Sequence, residues 1–482
     1  MTSHAAHRTA IARGDLSRPT RLAVQANLLA DGDTFLDYGC GRGEDVAGVR
    51  KLGFTASGWD PHYRPEEKLH DADVVNIGYV VNVIADPGER REALRRAWNH
   101  TRKALVVAAR LNAERRTVTL GRPHGDGFLT GHGTFQRFFD QTELRAWIDS
   151  TLGVESVAAA PGIFIVFRSE EDANHFVLHT RRRRHVSVKV SQADRVYSEH
   201  KETLDRLIEF FSHRGRLPAA GEDPDLERGL RNAVGSVRRA WSVIEKVANQ
   251  TDWSSITAAR TADLLVDLAL LKLNRRPNFT SLPEATRYDI KALFGSYKEA
   301  IAQADELLFS AGNLELLSEL ATTATVGKRL PNALYVHEQS LELLAPALRV
   351  YEGCARWLVG DVEDATIIKL ATDKPKVSYL SYPTFDTDPH PALAVATYVR
   401  IRDLEVDSRS YINSDNPPIL HRKEEFVAED YPGRAKFARL TAQEERFGLL
   451  GSDARLIGNA HAWTARLDEF GVRLKGHRVV RT

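Results

Sequence analysis

Cysteine is almost missing from this 482-residue chain. Cys40 and Cys354 are the two present, too few for a disulfide framework and in keeping with a reducing compartment. Methionine is scarcer still, at one residue, which excludes the Met-rich surface of an adaptable peptide binder. No apolar run reaches about 18 residues, so a membrane-spanning helix is not expected. The residues behind Met1, Thr2-Ser3-His4-Ala5-Ala6-His7-Arg8, lack the apolar core of a secretory signal, and a cytoplasmic protein is expected. Neither sign of charge dominates. With 66 basic and 65 acidic residues the net charge is +1, so any nucleic-acid contact has to be a local patch. No proline–cysteine pair occurs, which excludes cytosine-C5 chemistry through a cysteine nucleophile.

The rest of the composition is that of a folded protein, with 43% hydrophobic and 27% charged residues. The length suggests about three domains. From about residue 20 to 170, short apolar runs alternate with helical stretches. Strands are expected at 34–38, 56–60, 73–76, 104–109 and 162–167, and helices at 45–52, 87–101 and 141–150. Asp86 is placed to cap the second of these helices, ahead of Pro87. That order predicts a mostly parallel sheet with helices on both faces. From about 190 to 346 the apolar spacing is helical, with stretches at 203–211, 226–247, 258–273, 284–308 and 332–348 and no visible fixed-period repeat. Beyond 350, six prolines between Pro375 and Pro418 mark an irregular α+β segment, ending in helices near 441–449 and 460–469. The expected architecture is therefore an α/β Rossmann-like domain at 1–185, an all-helical domain at 186–348 and a C-terminal α+β domain at 349–482.

The strongest chemical signal is Phe35-Leu36-Asp37-Tyr38-Gly39-Cys40-Gly41-Arg42-Gly43-Glu44-Asp45. A buried strand runs into a turn with glycines at alternate positions and then into a helix, so the backbone can approach a ligand closely. A dinucleotide site at such a turn receives a pyrophosphate on the helix N-terminus. Asp37, Glu44 and Asp45 would repel one. They suit instead a ligand carrying ammonium and sulfonium charges, which is S-adenosylmethionine. Asp60, 23 residues after Asp37 and closing a second apolar run, is placed for the ribose hydroxyls. Cys40 reads as a small filler within the turn. Only 12 residues separate Asp60 from Asp73, too few for a further helix and strand, so a shortened sheet or a loop is expected there.

Acceptor-side signals are weaker. Amino-methylating DNA enzymes place an Asn or Asp, two prolines and an aromatic beyond a strand, to hold an exocyclic amine while the flipped base stacks. Asn76-Ile77-Gly78-Tyr79 keeps the Asn and the aromatic without the prolines. Asp415-Asn416-Pro417-Pro418-Ile419-Leu420 keeps the prolines without the aromatic and reads better as a turn. Leu111–Gly133, with five glycines, His124 and His132, reads as a long surface or substrate-facing loop. Neither histidine has a Cys or His partner at ligand spacing, and Asp386–Pro391, which includes His390, reads as turn chemistry; no metal is expected. Arg181, Arg182, Arg183 and Arg184 form a basic strip or linker able to contact phosphates, extendable by Arg122, Arg137, Arg238 and Arg239. Phe135, Phe138 and Phe139 could stack a base or lie in the core. His421-Arg422-Lys423-Glu424 reads as a phosphate contact or a salt-bridged segment.

The glycine turn and Asp60 resemble motifs I and II of the class I S-adenosylmethionine-dependent methyltransferases. That resemblance implies Asp37, Gly39, Cys40, Gly41 and Gly43 at the methionine end of the cofactor and Asp60 on its ribose. Over nearly its full length, the chain resembles the DNA phosphorothioation-associated methyltransferases, a family named by its gene neighbourhood and its methyltransferase motifs. The strings that carry this are His7–Ile11, Asp37–Gly43, Gly58–Pro65, Gly133–Phe139, Lys374–Leu380 and Asn416–Glu424. It implies methyl transfer to DNA in a modification or defence locus, with other proteins of that locus as partners. Asn76 and Tyr79 are the expected catalytic pair, aligning an amine. The same cofactor site would serve an RNA methyltransferase, or a non-catalytic cofactor-binding regulator or DNA-binding scaffold.

Overall fold

A computed structural model describes residues 15–117, 120–131, 133–179, 195–451 and 457–482. They fall into two compact units. One runs through Ala173 and takes in Leu314–Leu344 and Glu352–Thr482, and the other comprises Asn174–Asn313 and Ala345–Tyr351. No helix among the described residues is long and apolar enough to cross a membrane.

The first unit opens with a Rossmann-like sheet. Strands β1 (Thr34–Tyr38), β2 (Thr55–Trp59), β3 (Ala72–Gly78) and β4 (Thr101–Ala108) are parallel; β9 (Ile163–Phe167) joins β4 antiparallel, and β8 (Ser156–Ala160) joins β9. The order is β2-β1-β3-β4-β9-β8. The five expected strands lie close to their expected places. β8 was not expected, because Ser156-Val157-Ala158-Ala159-Ala160 is built of small residues and has neither the alternation nor the bulk that marks a strand. Helices α1 (Arg18–Gln25), α2 (Glu44–Lys51), α3 (Pro87–Asn99) and α4 (Gln141–Leu152) surround the sheet. The Asp86 carboxylate caps α3 by accepting from the Glu89 amide at 2.7 Å, with Pro87 in the first turn. Leu36, Tyr38, Val75, Ile77, Leu105 and Val107 form one core with Leu94 of α3 and Leu144 of α4. Strand alternation turns Asp37 and Asn76 to the opposite face.

One feature meets the sequence expectation of a shortened sheet and another departs from what was expected. The 12-residue interval after Asp60 holds a turn closed by an Asp60–Arg64 bridge and leads straight into β3, leaving β2 at the sheet edge. The glycine-rich stretch at 111–133 is not a long loop. Strands β5 (Leu120–His124), β6 (Gly127–Thr130) and β7 (Phe135–Gln136) make a small antiparallel sheet from it. Arg90, fully buried in α3, pins its hairpin turn through two bonds to the Asp126 carboxylate, at 2.7 and 3.0 Å.

The second unit is helical: most of α5 (Glu170–His179), then α6 (Arg195–Glu199), α7 (Lys201–Arg214), α8 (Pro224–Val234), α9 (Val237–Val247), α10 (Trp253–Leu271), α11 (Glu284–Phe294) and α12 (Tyr297–Ser310). The stretches expected at 226–247 and 284–308 are each two helices. Gly235 (φ 92°) and Gly295 (φ 75°) end the first of each pair, and the next residue, Ser236 or Ser296, caps the second. These breaks lie 60 residues apart, and α7–α9 followed by α10–α12 is the same three-helix pattern twice. The repeat escapes the sequence because little beyond the Gly-Ser pair is kept.

The stretch expected as helix at 332–348 is instead strand followed by a 3-10 turn. Ala333-Leu334-Tyr335-Val336-His337 has the β-branched and aromatic content of a strand and finds a partner far along the chain. After α13 (Leu314–Thr323), strands β10 (Lys328–Leu330), β11 (Ala333–His337), β12 (Ala365–Ala371), β13 (Lys376–Ser381), β14 (Val395–Arg400) and β15 (Glu405–Ser410) form a regular antiparallel sheet in chain order, with α14 (Pro346–Val359) between β11 and β12. Helices α15 (Arg434–Arg446) and α16 (Ala460–Glu469) and the ribbon β16 (Val472–Leu474) with β17 (Val479–Arg481) follow. Gly360, after α14, lies against β8. A Cβ there would come within 2.4 Å of the Ala160 amide nitrogen, and the next amide, of Asp361, bonds the Ala159 carbonyl at 2.8 Å.

Candidate active site

The carboxyl ends of β1, β2 and β3 bring the cofactor candidates together. Asp37 ends β1 at 5% exposure, and its Oδ1 accepts from Asn76 Nδ2 on the adjacent strand at 2.8 Å. The turn then folds back on β2, with the Gly39 and Cys40 amides both donating to the Trp59 carbonyl (2.7 and 3.1 Å). Gly39 (φ 84°) and Gly43 (φ 85°) are left-handed. A Cβ on Gly39 would lie 2.5 Å from Val80 Cγ2, and one on Gly43 2.3 Å from the Arg64 guanidinium. The left-handed φ at Gly39 and Gly43 is what calls for glycine there, and at Gly39 the Val80 side chain adds crowding.

Asp60 binds the turn together. Its Oδ2 accepts from the Gly41 amide at 3.1 Å, while Oδ1 accepts from the amides of His62 and Tyr63, each at 2.9 Å. The Asp60 carboxylate thus couples the glycine turn to the short loop standing where another helix and strand would begin. Cys40 is held as filler: Gly58, with no side chain, leaves room for its sulfur, since a Cβ there would lie 2.9 Å from Sγ. Burial pushes the Cys40 thiol up to about 12, and neighbouring Asp37 adds to the shift. Cys40 is no nucleophile.

Asn76 and Tyr79 have different surroundings. Asn76 is 1% exposed, within β3, with its amide nitrogen committed to Asp37. Tyr79 follows the strand half-buried, in a left-handed conformation (φ 60°), its amide donating to the Ala108 carbonyl at 2.8 Å. Asn76 is thus a positioning partner of Asp37, a role that the strand register, Asp37 opposite Asn76, determines and that no spacing in the sequence marks.

The nucleic-acid candidates separate. Arg181, Arg182, Arg183 and Arg184 lie outside the described residues, as does His132. Arg122, Arg238 and Arg239 are exposed, whereas Arg137 is paired with Asp126 and Glu143 (2.5 and 2.6 Å). Phe135, Phe138 and Phe139 are core residues and unavailable for stacking. Asn416 accepts from the His461 amide at 2.9 Å, so the Pro417-Pro418 segment is a structural turn. Lys423 is 2% exposed and Arg422 pairs with Glu445 at 2.7 Å, so His421–Glu424 is an interior segment and not a phosphate contact. A cleft of about 440 Å³ between the two large sheets is lined by Arg18 and by the carboxylates of Glu114, Asp140, Glu363, Asp364 and Asp407, a lining that repels phosphate.

Three residues that the sequence leaves unconnected do converge: His390, His421 and Glu444, with one ligand-type atom of each within 4.8 Å of the others.

Comparison of the sequence with protein-family profiles and with characterised proteins returns no match. Comparison of the structure with solved structures returns methyltransferases. One is the 1,6-didemethyltoxoflavin-N1-methyltransferase of Burkholderia thailandensis with 1,6-didemethyltoxoflavin and S-adenosylhomocysteine bound, at 15% identity and a TM-score of 0.23, covering 34% of this chain and 79% of that one. Another is the sugar N-methyltransferase KedS8 of a Streptoalloteichus species, at 17% identity and a TM-score of 0.25, covering 31% and 85%. A third is the S-adenosylmethionine-bound amino pentose methyltransferase CalS10 of Micromonospora echinaspora, at 16% identity and a TM-score of 0.22, covering 31% and 88%.

Proposed function

We propose that the chain is a class I S-adenosylmethionine-dependent methyltransferase of the cytoplasm, acting on DNA in a bacterial phosphorothioate modification or defence locus. The observation that carries the cofactor reading is the constellation at the carboxyl ends of the parallel strands. Asp37 and Asp60 stand either side of a left-handed glycine turn, in the crevice where open α/β sheets bind their ligands. A carboxylate at the end of β1 suits an ammonium group. The turn's missing side chains leave space for the methionine moiety, and Asp60 keeps a lone pair of Oδ2 for a ribose hydroxyl.

Bound there, S-adenosylmethionine would supply an electrophilic methyl group to an acceptor nitrogen, whose proton would pass to solvent. Such a step needs chiefly alignment of the acceptor opposite the sulfonium. Asn76 serves by holding Asp37. Tyr79 is the residue proposed to flank the acceptor: a left-handed conformation at a non-glycine residue just beyond a strand end is a mark of functional sites. The DNA reading rests on the full-length resemblance and on the arginine run at 181–184.

A second reading, a cofactor-binding regulator, draws support from Asp60, whose carboxylate already accepts three backbone amides. Tritium transfer from labelled S-adenosylmethionine separates these, offered to phosphorothioated DNA, unmodified DNA and total RNA. Label in DNA is expected. Label confined to RNA overturns the DNA assignment, and cofactor binding without label in either favours the regulator. Asp37→Ala is expected to weaken cofactor binding at least a hundredfold by calorimetry, in line with loss of a buried charge pair; retained affinity refutes the site.

A further inference from the structure

The His390, His421 and Glu444 cluster lies apart from the glycine turn and owes nothing to the methyl-transfer reading. Its hydrogen bonds fix which nitrogens carry protons. His421 Nε2 faces the Ile457 carbonyl at 2.9 Å, and His390 Nδ1 faces the Leu420 carbonyl at 3.2 Å. A carbonyl only accepts, so His421 Nε2 is an N–H donor and its inward Nδ1 presents a lone pair, whereas His390 Nε2, 2.6 Å from Glu444 Oε1, donates to that carboxylate when no ion stands between them. Glu444 completes the ring of acceptors. It is 0% exposed, its Oε1 is 2.6 Å from His390 Nε2, and its Oε2 is buried without a hydrogen-bond partner, as is His421 Nδ1.

A proton on His390 answers only part of this. It would satisfy the His390–Glu444 contact and leave His421 Nδ1 and Glu444 Oε2 bare, at a cost that buried polar atoms rarely bear. A divalent cation satisfies all the inward acceptors together. Histidines turned inward by main-chain carbonyls on their outer N–H groups are the usual second shell of a metal site. Two imidazoles and a carboxylate form a donor set for zinc. Trp463 packs on both imidazoles, with ring centroids 4.6 and 4.7 Å away. Lys423, two residues after His421, is turned onto the Phe385 carbonyl at 2.7 Å and that of Asp388.

We propose that His390, His421 and Glu444 bind one Zn²⁺, with water in its fourth position, which ties the Pro389–Pro391 turn, the segment after Leu420 and α15 into one assembly. Seating the ion requires His390 and Glu444 to part slightly, because two ligands of one tetrahedral zinc, each about 2.0–2.1 Å from it, stand farther apart than 2.6 Å.

The test uses the full chain, purified without a histidine tag and stripped with chelator. Added Co²⁺ is expected to give a visible d–d band at one equivalent, and Zn²⁺ should displace it. Saturating Zn²⁺ is expected to raise the melting temperature by roughly 5 °C or more. Glu444→Gln, which keeps the shape and the hydrogen bond to His390, and His421→Asn should each abolish the band and the shift. These wild-type measurements stand even if a variant misfolds, and far-UV circular dichroism identifies one that does. No band and no shift in the wild type overturns the site, and so does a band retained by both folded variants.

Discussion

The glycine turn occupies consecutive positions from Asp37 to Gly43, whereas His390, His421 and Glu444 come from three segments and meet only when the second large sheet and α15 have packed. Backbone conformation sets the turn: φ values of 84° and 85° at Gly39 and Gly43, and amides folded onto the Trp59 carbonyl. Side chains set the histidine cluster, from backbone that any residue could adopt at Glu444 within its helix. A site written into local backbone announces itself through residue types that permit unusual φ. A site assembled by packing leaves no local mark, and only its unsatisfied lone pairs betray it once the fold is known.

That contrast can be pressed at several points. The largest effect concerns the cysteine embedded in the turn. With its thiol near 12, Cys40 in the native protein should react with iodoacetamide at pH 8 roughly a thousandfold more slowly than a free thiol. Mass spectrometry of timed digests would detect faster labelling, which would mean that the turn opens readily and is not the rigid cradle described. Next comes the turn's backbone. Gly39→Ala adds one methyl group, yet it opposes both φ and the Val80 contact, and cofactor affinity should fall about tenfold by calorimetry, corresponding to 1–2 kcal/mol of left-handed strain. Adding Val80→Ala relieves the contact alone, so only partial recovery is expected; full recovery would show that crowding and not φ makes glycine necessary.

The smallest effect tests the other side of the comparison, through a side-chain cluster in the helical unit that leaves no such orphan. Arg216 bonds Glu222 through two nitrogens (2.6 and 2.7 Å) and Asp289 through a third (2.7 Å). Burial would raise the Glu222 carboxyl, but the Arg216 hydrogen bonds outweigh it and hold the group below its ordinary range. A carboxyl depressed in the folded state stabilises fully above its unfolded value of about 4.5 and loses that contribution as pH falls through the folded value. The helical unit should therefore lose about 1 kcal/mol below pH 4.5 in acid melts, and Glu222→Gln should flatten this dependence. Equal acid sensitivity in the variant would remove Glu222 as its source.

Legibility followed the same division. The Rossmann-like half could be read because its strands are continuous apolar runs and its helices carry start signals such as Asp86-Pro87. The absent helix and strand after Asp60 could be read as a plain shortage of residues. Asn76 was recognisable as unusual, yet its partner Asp37 depends on strand register, which sequence does not display. The stretch at 332–348 was misread because its apolar residues satisfy helical spacing as well as strand alternation, and only a partner strand at 365–371 decides between them. The hairpin of β5 and β6 was hidden by glycines that serve close strand approach as well as loops.

The order of the elements along the chain also sets a timetable. The sheet that carries the glycine turn has all its strands by Phe167, while the last member of the histidine cluster is Glu444. At about 5–20 residues per second of synthesis, the 277 residues from Arg168 through Glu444 take roughly 14–55 s. For that interval a nascent chain can hold a finished glycine turn while the second sheet, which docks against β8 through Gly360, has still to be made.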